Sequence, residues 1–383
     1  MCEMEGWSKV DLKDICNRIT TGKVDANAMV DGGLYRFYTC AKDYYYIDDF
    51  AFDLEALLIS GNGANVGYIH YYNGKFNAYQ RTYVLSDFNC DIHFLKYYLE
   101  LFLPFRIDRE KNDSNTPFIK MDTLTEMTIF IPNSLDEQCK IAEILSNIDT
   151  AIEQTEALIA KYKNIKNGLM HDLLKYGIDN NGNIRNPQTH SFVEKNGMVV
   201  PKEWEVDALG VCFDTFRSGN NITAENIYSM DKYPVYGGNG LRGYTFSYTH
   251  SGKYILIGRQ GALCGNINLI EGRNYVSEHA IAVQANSKNN DDYWYYKLES
   301  MNLNQYSAQS AQPGLAVQKL VSLIVGIPKN EEQKGIAEVL LQKDKLIESE
   351  QTNLSKLQKQ KQGLMQDLLT GKVRVKTDIV IKD

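Results

Sequence analysis

Apolar and polar positions along this chain follow two rhythms. In one stretch Ile141, Ile144, Ile148, Ala151, Leu158, Tyr162, Ile165 and Leu169 recur at three-and-four spacing, with Leu145, Ile152, Ile159 and Leu173 as a flanking row. This pattern predicts a long helix with a heptad seam. A second stretch keeps the flanking row as Leu340, Ile347, Leu354 and Leu368, with Ile336 and Leu364 in matching places. So broad an apolar stripe must be buried, and the other copy is the natural partner. Each helix of roughly 40 residues would run about 60 Å, well beyond an ordinary globular helix. Lys343, Glu350 and Asn353 put polar groups at seam positions of the second helix. They suggest a specified register or a surface shared with another protein. The competing reading is that each helix packs only on its own globular neighbour.

Elsewhere the period shortens to that of strands. Ala56-Leu57-Leu58-Ile59, Thr82-Tyr83-Val84-Leu85, Tyr254-Ile255-Leu256-Ile257 and Ala280-Ile281-Ala282-Val283 are bounded by Gly, Asn or Ser and predict strands. His93 to Phe102 and Asp292 to Met301 predict short helices rich in tyrosine and leucine. Ile131-Pro132 and Ile327-Pro328 close each globular half, since the residue before a proline prefers extended geometry.

The two halves are copies. Glu137-Gln138-x-x-Ile141-Ala142-Glu143 returns as Glu332-Gln333-x-x-Ile336-Ala337-Glu338, and the match continues without a gap to Gly168-Leu169-Met170-x-Asp172-Leu173-Leu174 against Gly363-Leu364-Met365-x-Asp367-Leu368-Leu369. Nearly half the positions are identical, which marks duplication and not shared composition. The repeat extends outward: Trp7, Leu12 and Gly22 match Trp204, Leu209 and Gly219, and Gly67 and Gly74 match Gly265 and Gly272. The organisation is therefore α/β (α+β): two similar globular domains, 1–132 and 201–328, and two long helices paired as a coiled coil, 133–176 and 329–383. The segment 177–200 is a polar, turn-rich linker. The tail from Thr370 to Val375 is expected as a short strand or frayed end.

Composition narrows the function. With 383 residues and 43% hydrophobic content, each domain can bury a core. No run of apolar residues is long enough to span a membrane and no leader-like start is present, so the chain is expected to be cytoplasmic. Seven dispersed cysteines without a C-x-x-C pair fit reduced thiols better than disulfides or zinc. The net charge of −7 confines any DNA-binding face to a local patch.

Catalytic signatures are missing. Gly238-Asn239-Gly240-Leu241-Arg242-Gly243 satisfies a bare dinucleotide fingerprint, but strand-like Tyr244-Thr245-Phe246 follows where a helix is needed. It reads as a tight turn. The six histidines show no metal-ligand spacing, and no Pro-Asp pair occurs. Asn186-Pro187 is followed by Gln188, so the Asn/Asp-Pro-Pro-aromatic motif of amino-methyltransferases is absent.

On these residues the chain resembles the specificity subunit of type I restriction–modification enzymes. The Glu-Gln-x-x-Ile-Ala-Glu-[Ile/Val]-Leu motif opening a helix that ends in Gly-Leu-Met-x-Asp-Leu-Leu, once after each half, is similar to that family's two repeated regions. Pro201 with Trp204, and Gln312-Pro313-Gly314-Leu315 leading to Ile327-Pro328, are similar to the borders of its target-recognition domains. The resemblance implies a non-catalytic reader of double-stranded DNA, each domain taking half of a bipartite site and the two long helices packing antiparallel to set the spacing. It further implies methyltransferase subunits carrying S-adenosylmethionine, and an ATP-dependent restriction and translocation subunit. Those cofactors, with Mg, would sit on the partners and none on this chain. Independently, two like folds at fixed separation should dock on one face of a duplex about 10 bp apart. A coiled-coil scaffold with two protein-binding heads, or a divergent enzyme, are the rival readings.

Base edges are read by Arg, Lys, Asn and Gln, so candidates belong on loops at equivalent places in both halves. Ser60-Gly61-Asn62-Gly63-Ala64-Asn65, a glycine loop after a strand offering Asn62 and Asn65, corresponds to Gly258-Arg259-Gln260-Gly261-Ala262, offering Arg259 and Gln260. Arg109, Lys111, Asn112, Ser114 and Asn115 correspond to a stretch holding Ser310 and Gln312, each before a proline. Lys42, Tyr44, Arg81, Arg217 and Arg242 are further candidates, with Tyr44-Tyr45-Tyr46 and Tyr71-Tyr72 as stacking surfaces. Ordinary solvated turns would carry the same residue types. For the helices the partner-binding set is Ile141, Leu145, Ile148, Ile152, Ile159 and Leu169 with Ile336, Leu340, Ile347, Leu354, Leu364 and Leu368.

Overall fold

The computed structural model describes residues 5–110, 118–261, 263–307 and 314–376. It divides into two compact units, residues 1–157 with 352–383, and residues 158–351. Each contains one globular half, one end of the first long helix and the opposite end of the second.

In the first unit, β1 (Trp7–Asp11) pairs antiparallel with β8 (Thr128–Pro132), joining the start of the domain to its end. Between them, α1 (Leu12–Ile15) leads into a six-stranded sheet. Its strands are β2 (Cys16–Thr21), β3 (Tyr35–Tyr38), β4 (Tyr45–Ile47), β5 (Phe52–Ser60), β6 (Ile69–Ala78) and β7 (Thr82–Phe88). Their order is β2-β7-β5-β6-β3-β4, antiparallel except for the β3–β6 pair. Burial on both faces explains why β5 is uniformly apolar from Ala56 to Ile59, after the exposed Asp53 and Glu55. Leu57 and Ile59 join the core under α2 (Ile92–Glu110), with Phe94, Leu95 and Leu99, while Ala56 and Leu58 pack on the other face with Tyr38, Phe52 and Phe76. The predicted helix His93–Phe102 is longer than the pattern suggested, running through Pro104 to Glu110. A short α3 (Met121–Thr125) precedes β8.

The second unit repeats this plan with breaks. Following the hairpin β9 (Phe192–Lys195) and β10 (Met198–Pro201), β11 (Glu205–Ala208) pairs with β20 (Ile324–Ile327), as β1 does with β8. The strands β12 (Phe213–Ser218), β13 (Tyr233–Gly237), β14 (Gly240–Thr245), β15 (His250–Ser251), β16 (Tyr254–Gly258), β17 (Ile267–Ile270), β18 (Arg273–Val276) and β19 (Ala280–Ala285) follow. What is β5 in the first unit is divided here at Gly252-Lys253, and what is β6 is divided at Glu271-Gly272. Two four-stranded sheets result, β12-β19-β16-β17 and β14-β13-β18-β15. The helix α5 (Asp291–Ser300) buries Tyr293, Trp294, Tyr296 and Leu298 against Ile255, Ile257, Ile281 and Val283, and α6 (Val317–Val321) precedes β20. Gly238 and Asn239 form the turn between β13 and β14, as the strand after them requires.

The two long helices are α4 (Leu135–Tyr176) and α7 (Asn330–Leu368). In the first unit, Ile141, Ala142 and Leu145 from the start of α4 share a core with Met365, Leu368 and Leu369 from the end of α7. In the second, Leu173 and Leu174 from the end of α4 share one with Ile336, Ala337 and Leu340 from the start of α7. The pair is therefore antiparallel.

Burial corrects the seam. Ile141, Leu145, Ile148 and Ile159 are buried, as are Ile336, Leu340, Ile347 and Leu368, while Ile152, Leu169, Leu354 and Leu364 are half-buried. By contrast Ile165, assigned to the seam from its spacing, is 41% exposed, and Thr155 occupies a buried place with its hydroxyl donating to Ala151 O at 2.7 Å. The row read as flanking belongs to the seam, together with Ile141 and Ile148 of the row assigned to it from spacing. Lys343 and Glu350 lie half-buried within it and Asn353 is exposed.

Candidate nucleic-acid interface

The glycine loops predicted as equivalent are built identically. In the first unit β5 ends at Ser60, Gly61 N donates to Arg81 O at 2.8 Å, and Gly61 O accepts from Ile119 N at 2.9 Å. In the second β16 ends at Gly258, Arg259 N donates to His279 O at 2.9 Å, and Arg259 O accepts from Leu315 N at 2.9 Å. Asn62 bridges to Phe118 as Gln260 does to Gly314. Gly67 N returns to Ser60 O at 2.8 Å and Gly265 N to Gly258 O at 2.7 Å. These last two glycines have φ of 83° and 87°, a region closed to most side chains, so their repetition in the sequence is a backbone requirement. Gly22 and Gly219 repeat for another reason: a Cβ on either would collide with backbone at 1.8 and 2.4 Å.

At each of these places three segments meet: the loop after the central strand, the turn before β7 or β19, and the segment before α3 or α6. In the first unit they border an open cleft of about 300 Å³ lined by Thr21, Gly61, Gln80, Arg81, Tyr83 and Ile119. Arg81 and Gln80 are exposed there. In the second unit Arg259 is half-buried and Gln260 exposed, with Gln260 Oε1 3.1 Å from His279 Nδ1 and His279 Nε2 3.2 Å from Glu278 Oε1. Among the described residues, neither the Arg81 nor the Arg259 guanidinium has a hydrogen-bond or ion-pair partner. Cations held ready without an internal partner suit a polyanion or a base edge.

The other candidates fare differently. Asn65 donates its amide to Cys40 O at 3.1 Å, so it holds the loop together. Arg109 lies exposed on the last turn of α2 and not on a loop. Arg217 on β12 and Arg242 on β14 are exposed; burial, and after it the charge of Arg217, holds the His250 imidazole below its usual range. Lys111, Asn112, Ser114, Asn115, Ser310 and Gln312 lie outside the described residues.

Of the tyrosines, Tyr44, Tyr45 and Tyr46 are exposed near 40%, whereas Tyr71 donates to Glu55 Oε1 at 2.7 Å and Tyr72 is half-buried. The guanidinium of Arg36 lies between two rings, 4.3 Å from the centroid of Tyr44 and 4.7 Å from that of Tyr72. In the second unit Arg273 sits 5.1 Å from the Tyr248 ring. Gln80, His279, Arg36 and Arg273 went unnoticed in the sequence. His279 stands opposite the glycine loop as Arg81 does, so carrying the repeat register through would have found it.

The repeated Glu-Gln pair at the head of each long helix also acquires a physical meaning. Glu137 accepts from Trp7 Nε1 at 3.4 Å and from both Arg374 Nε and Nη2, at 2.6 and 2.7 Å. Glu332 accepts from Trp204 Nε1 at 3.0 Å and from Arg185 Nη1 and Nη2, at 2.5 and 3.1 Å. From Thr370 to Lys376 the tail forms no strand; it is pinned by Arg374. Gln138 ties Pro132 O to the Asp91 amide, both at 2.8 Å, and Gln333 ties Pro328 O to the Asn290 amide, both at 2.9 Å. Each pair thus fastens a domain's closing strand and helix to the long helices.

Comparison with known proteins agrees with this architecture. A family model described as the type I restriction modification DNA specificity domain matches residues 4–164 and again 201–359. The EcoprrI specificity subunit of a type I restriction enzyme from Escherichia coli is 46% identical over 137 residues, which are 35% of this chain and 34% of that protein. The match thus spans about a third of that relative's length. The MjaVIII specificity subunit from Methanocaldococcus jannaschii is 27% identical over 97% of this chain and 94% of that protein. Among solved structures, the S subunit of a type I restriction-modification system from M. genitalium superposes with a TM-score of 0.67 at 19% identity, covering 94% of this chain and 96% of that one.

Proposed function

Because the chain belongs to the type I restriction modification DNA specificity family, we propose that it is the sequence-reading subunit of a type I restriction–modification complex. Each globular half reads one segment of a bipartite double-stranded site. The helix pair sets the gap and, with the globular halves, docks the methyltransferase subunits; an ATP-dependent restriction subunit then joins them. The chain performs no chemistry itself, and S-adenosylmethionine, ATP and Mg belong to the partners. Such a complex works in the cytoplasm, in keeping with the absence of any membrane-spanning helix among the described residues.

The observation that carries this reading is the pair of identically built loop junctions with different side chains, Asn62 and Arg81 in one half, Arg259, Gln260 and His279 in the other. A duplicated protein-binding scaffold has no reason to keep the backbone of these junctions while exchanging their hydrogen-bonding groups. Two readers of unlike half-sites require that arrangement. Co-expression with the cognate methyltransferase subunits, followed by mapping of methylated adenines, should give one asymmetric site in two parts. Assembly without any site-selective methylation would favour the scaffold reading instead.

A further inference from the structure

Gly61 and Arg259 occupy one position in the two halves, and Arg81 and His279 occupy the position across the backbone bond from them. A Cβ on Gly61 would stand 2.3 Å from Arg81 O and 2.9 Å from the Tyr83 ring. The first half therefore has no room for a side chain on the loop side of the junction. Its arginine is on the turn side, with Gln80 beside it facing the cleft. In the second half the arginine is on the loop side, with Gln260 beside it, and the turn side carries His279. From this exchange we infer that Gln80-Arg81 and Arg259-Gln260 are the specificity-determining pairs of the two half-sites, with His279 a positioning residue for Gln260.

The inference rests on the proposed function and says which side chains execute it. An arginine presents two parallel donors and suits the O6 and N7 acceptors of guanine. The glutamine beside it has an amide that can present either donors or an acceptor, depending on which way it is turned. When the His279 ring carries both protons, Nδ1 donates to Gln260 Oε1 at 3.1 Å and Nε2 is braced at 3.2 Å by Glu278, which leaves the NH₂ of Gln260 to face outward. The second half is then set to read an acceptor beside the guanine. Gln80 makes no such contact among the described residues and can turn either way, so the first half should tolerate more at that neighbouring base pair.

The test uses the full chain purified with its methyltransferase subunits and a randomised duplex library. The unsubstituted complex should select a two-part site; if it selects none, the function proposed above fails, and this inference with it. Given a site, Arg81→Ala should lower discrimination roughly 10- to 100-fold at one or two adjacent base pairs of one part. Arg259→Ala should do the same in the other part. His279→Ala should change preference only at the base pair next to that of Arg259, and His279→Asn, whose amide can stand in for Nδ1, should restore it. Variants that assemble and melt like the parent yet keep every base preference would overturn the assignment. A uniform loss over the whole site would do so too, because it would mark phosphate contacts.

Discussion

The arginines that hold Glu332 and Glu137 lie at different depths, and depth decides what each is worth. The Arg185 side chain is only 8% exposed against Glu332, while that of Arg374 is 45% exposed against Glu137. Removing one partner of a buried pair strands the other charge, at a cost of about 3 kcal/mol or more. Arg374 is screened by water, and its removal opens Glu137, itself only 5% exposed, to solvent, so the cost there is nearer about 1 kcal/mol. Glu332→Ala should thus lower the melting temperature by roughly 6–12 °C for a unit of this size, even though Glu203 lies 3.8 Å from Arg185. Arg374→Ala should cost no more than a few degrees, and calorimetry distinguishes the two. The glutamates and tryptophans of these clusters were legible as repeats. The arginines were not, because Arg185 lies 147 positions before its glutamate and Arg374 lies 237 after, each just beyond the end of a long helix where no periodicity guides the eye. Lys297 offers a second test at this scale. Burial pushes its ammonium down to about 8, although it donates to Leu174 O at 3.3 Å near the end of α4. Below pH 8 the group is charged in both folded and unfolded chains, and the fold bears the desolvation. Between pH 8 and about 10.5 the folded state releases its proton first, so stability rises with pH across that window. Lys297→Met should therefore stabilise the protein at pH 7 by up to about 3 kcal/mol, with the advantage fading by pH 10 in urea titrations.

At the scale of elements, the heptad reading located the long helices but misjudged which row of each stripe is buried. Ile144, Ala151, Leu158 and Ile165 keep perfect spacing, yet the first three are only half-buried and Ile165 is exposed, while Leu145, Ile148, Thr155 and Ile159 are buried. A stripe wider than its partner can cover leaves one edge in water, and spacing alone does not say which edge. Leu340→Ala removes a fully buried side chain from the shared core of α7 and the end of α4, and should cost about 2–5 kcal/mol. Ile165→Ala should change stability by less than about 0.5 kcal/mol. Equal effects in chemical denaturation would restore the original assignment. The strands of the globular halves were legible because central strands buried on both faces are uniformly apolar. The extension of α2 past Pro104 was not. Its buried Leu103 and Ile107 continue the apolar face of the helix, and that packing outweighs the hydrogen bond the proline cannot make.

At the scale of the whole molecule, α4 and α7 each run unbroken from one compact unit into the other. If they act as the spacer of a bipartite reader, their length is encoded in the gap of the site and in nothing else about it. Seven residues add about 10.5 Å to a helix at 1.5 Å each, which is about 3 bp along a duplex at 3.4 Å per step, and a whole heptad preserves the seam. One heptad inserted after Ala157 in α4, together with one after Gln351 in α7, should widen the gap of the methylated site by about three base pairs. The two half-sites themselves should stay unchanged, because the junctions at Gly61 and Arg259 are untouched. An insertion in α4 alone leaves its partner short and should abolish assembly instead. A doubly lengthened chain that assembles and methylates at the original gap would refute the spacer role while leaving the readers intact. A chain that methylates at the new gap but with altered half-sites would mean that the helices also orient the reading loops.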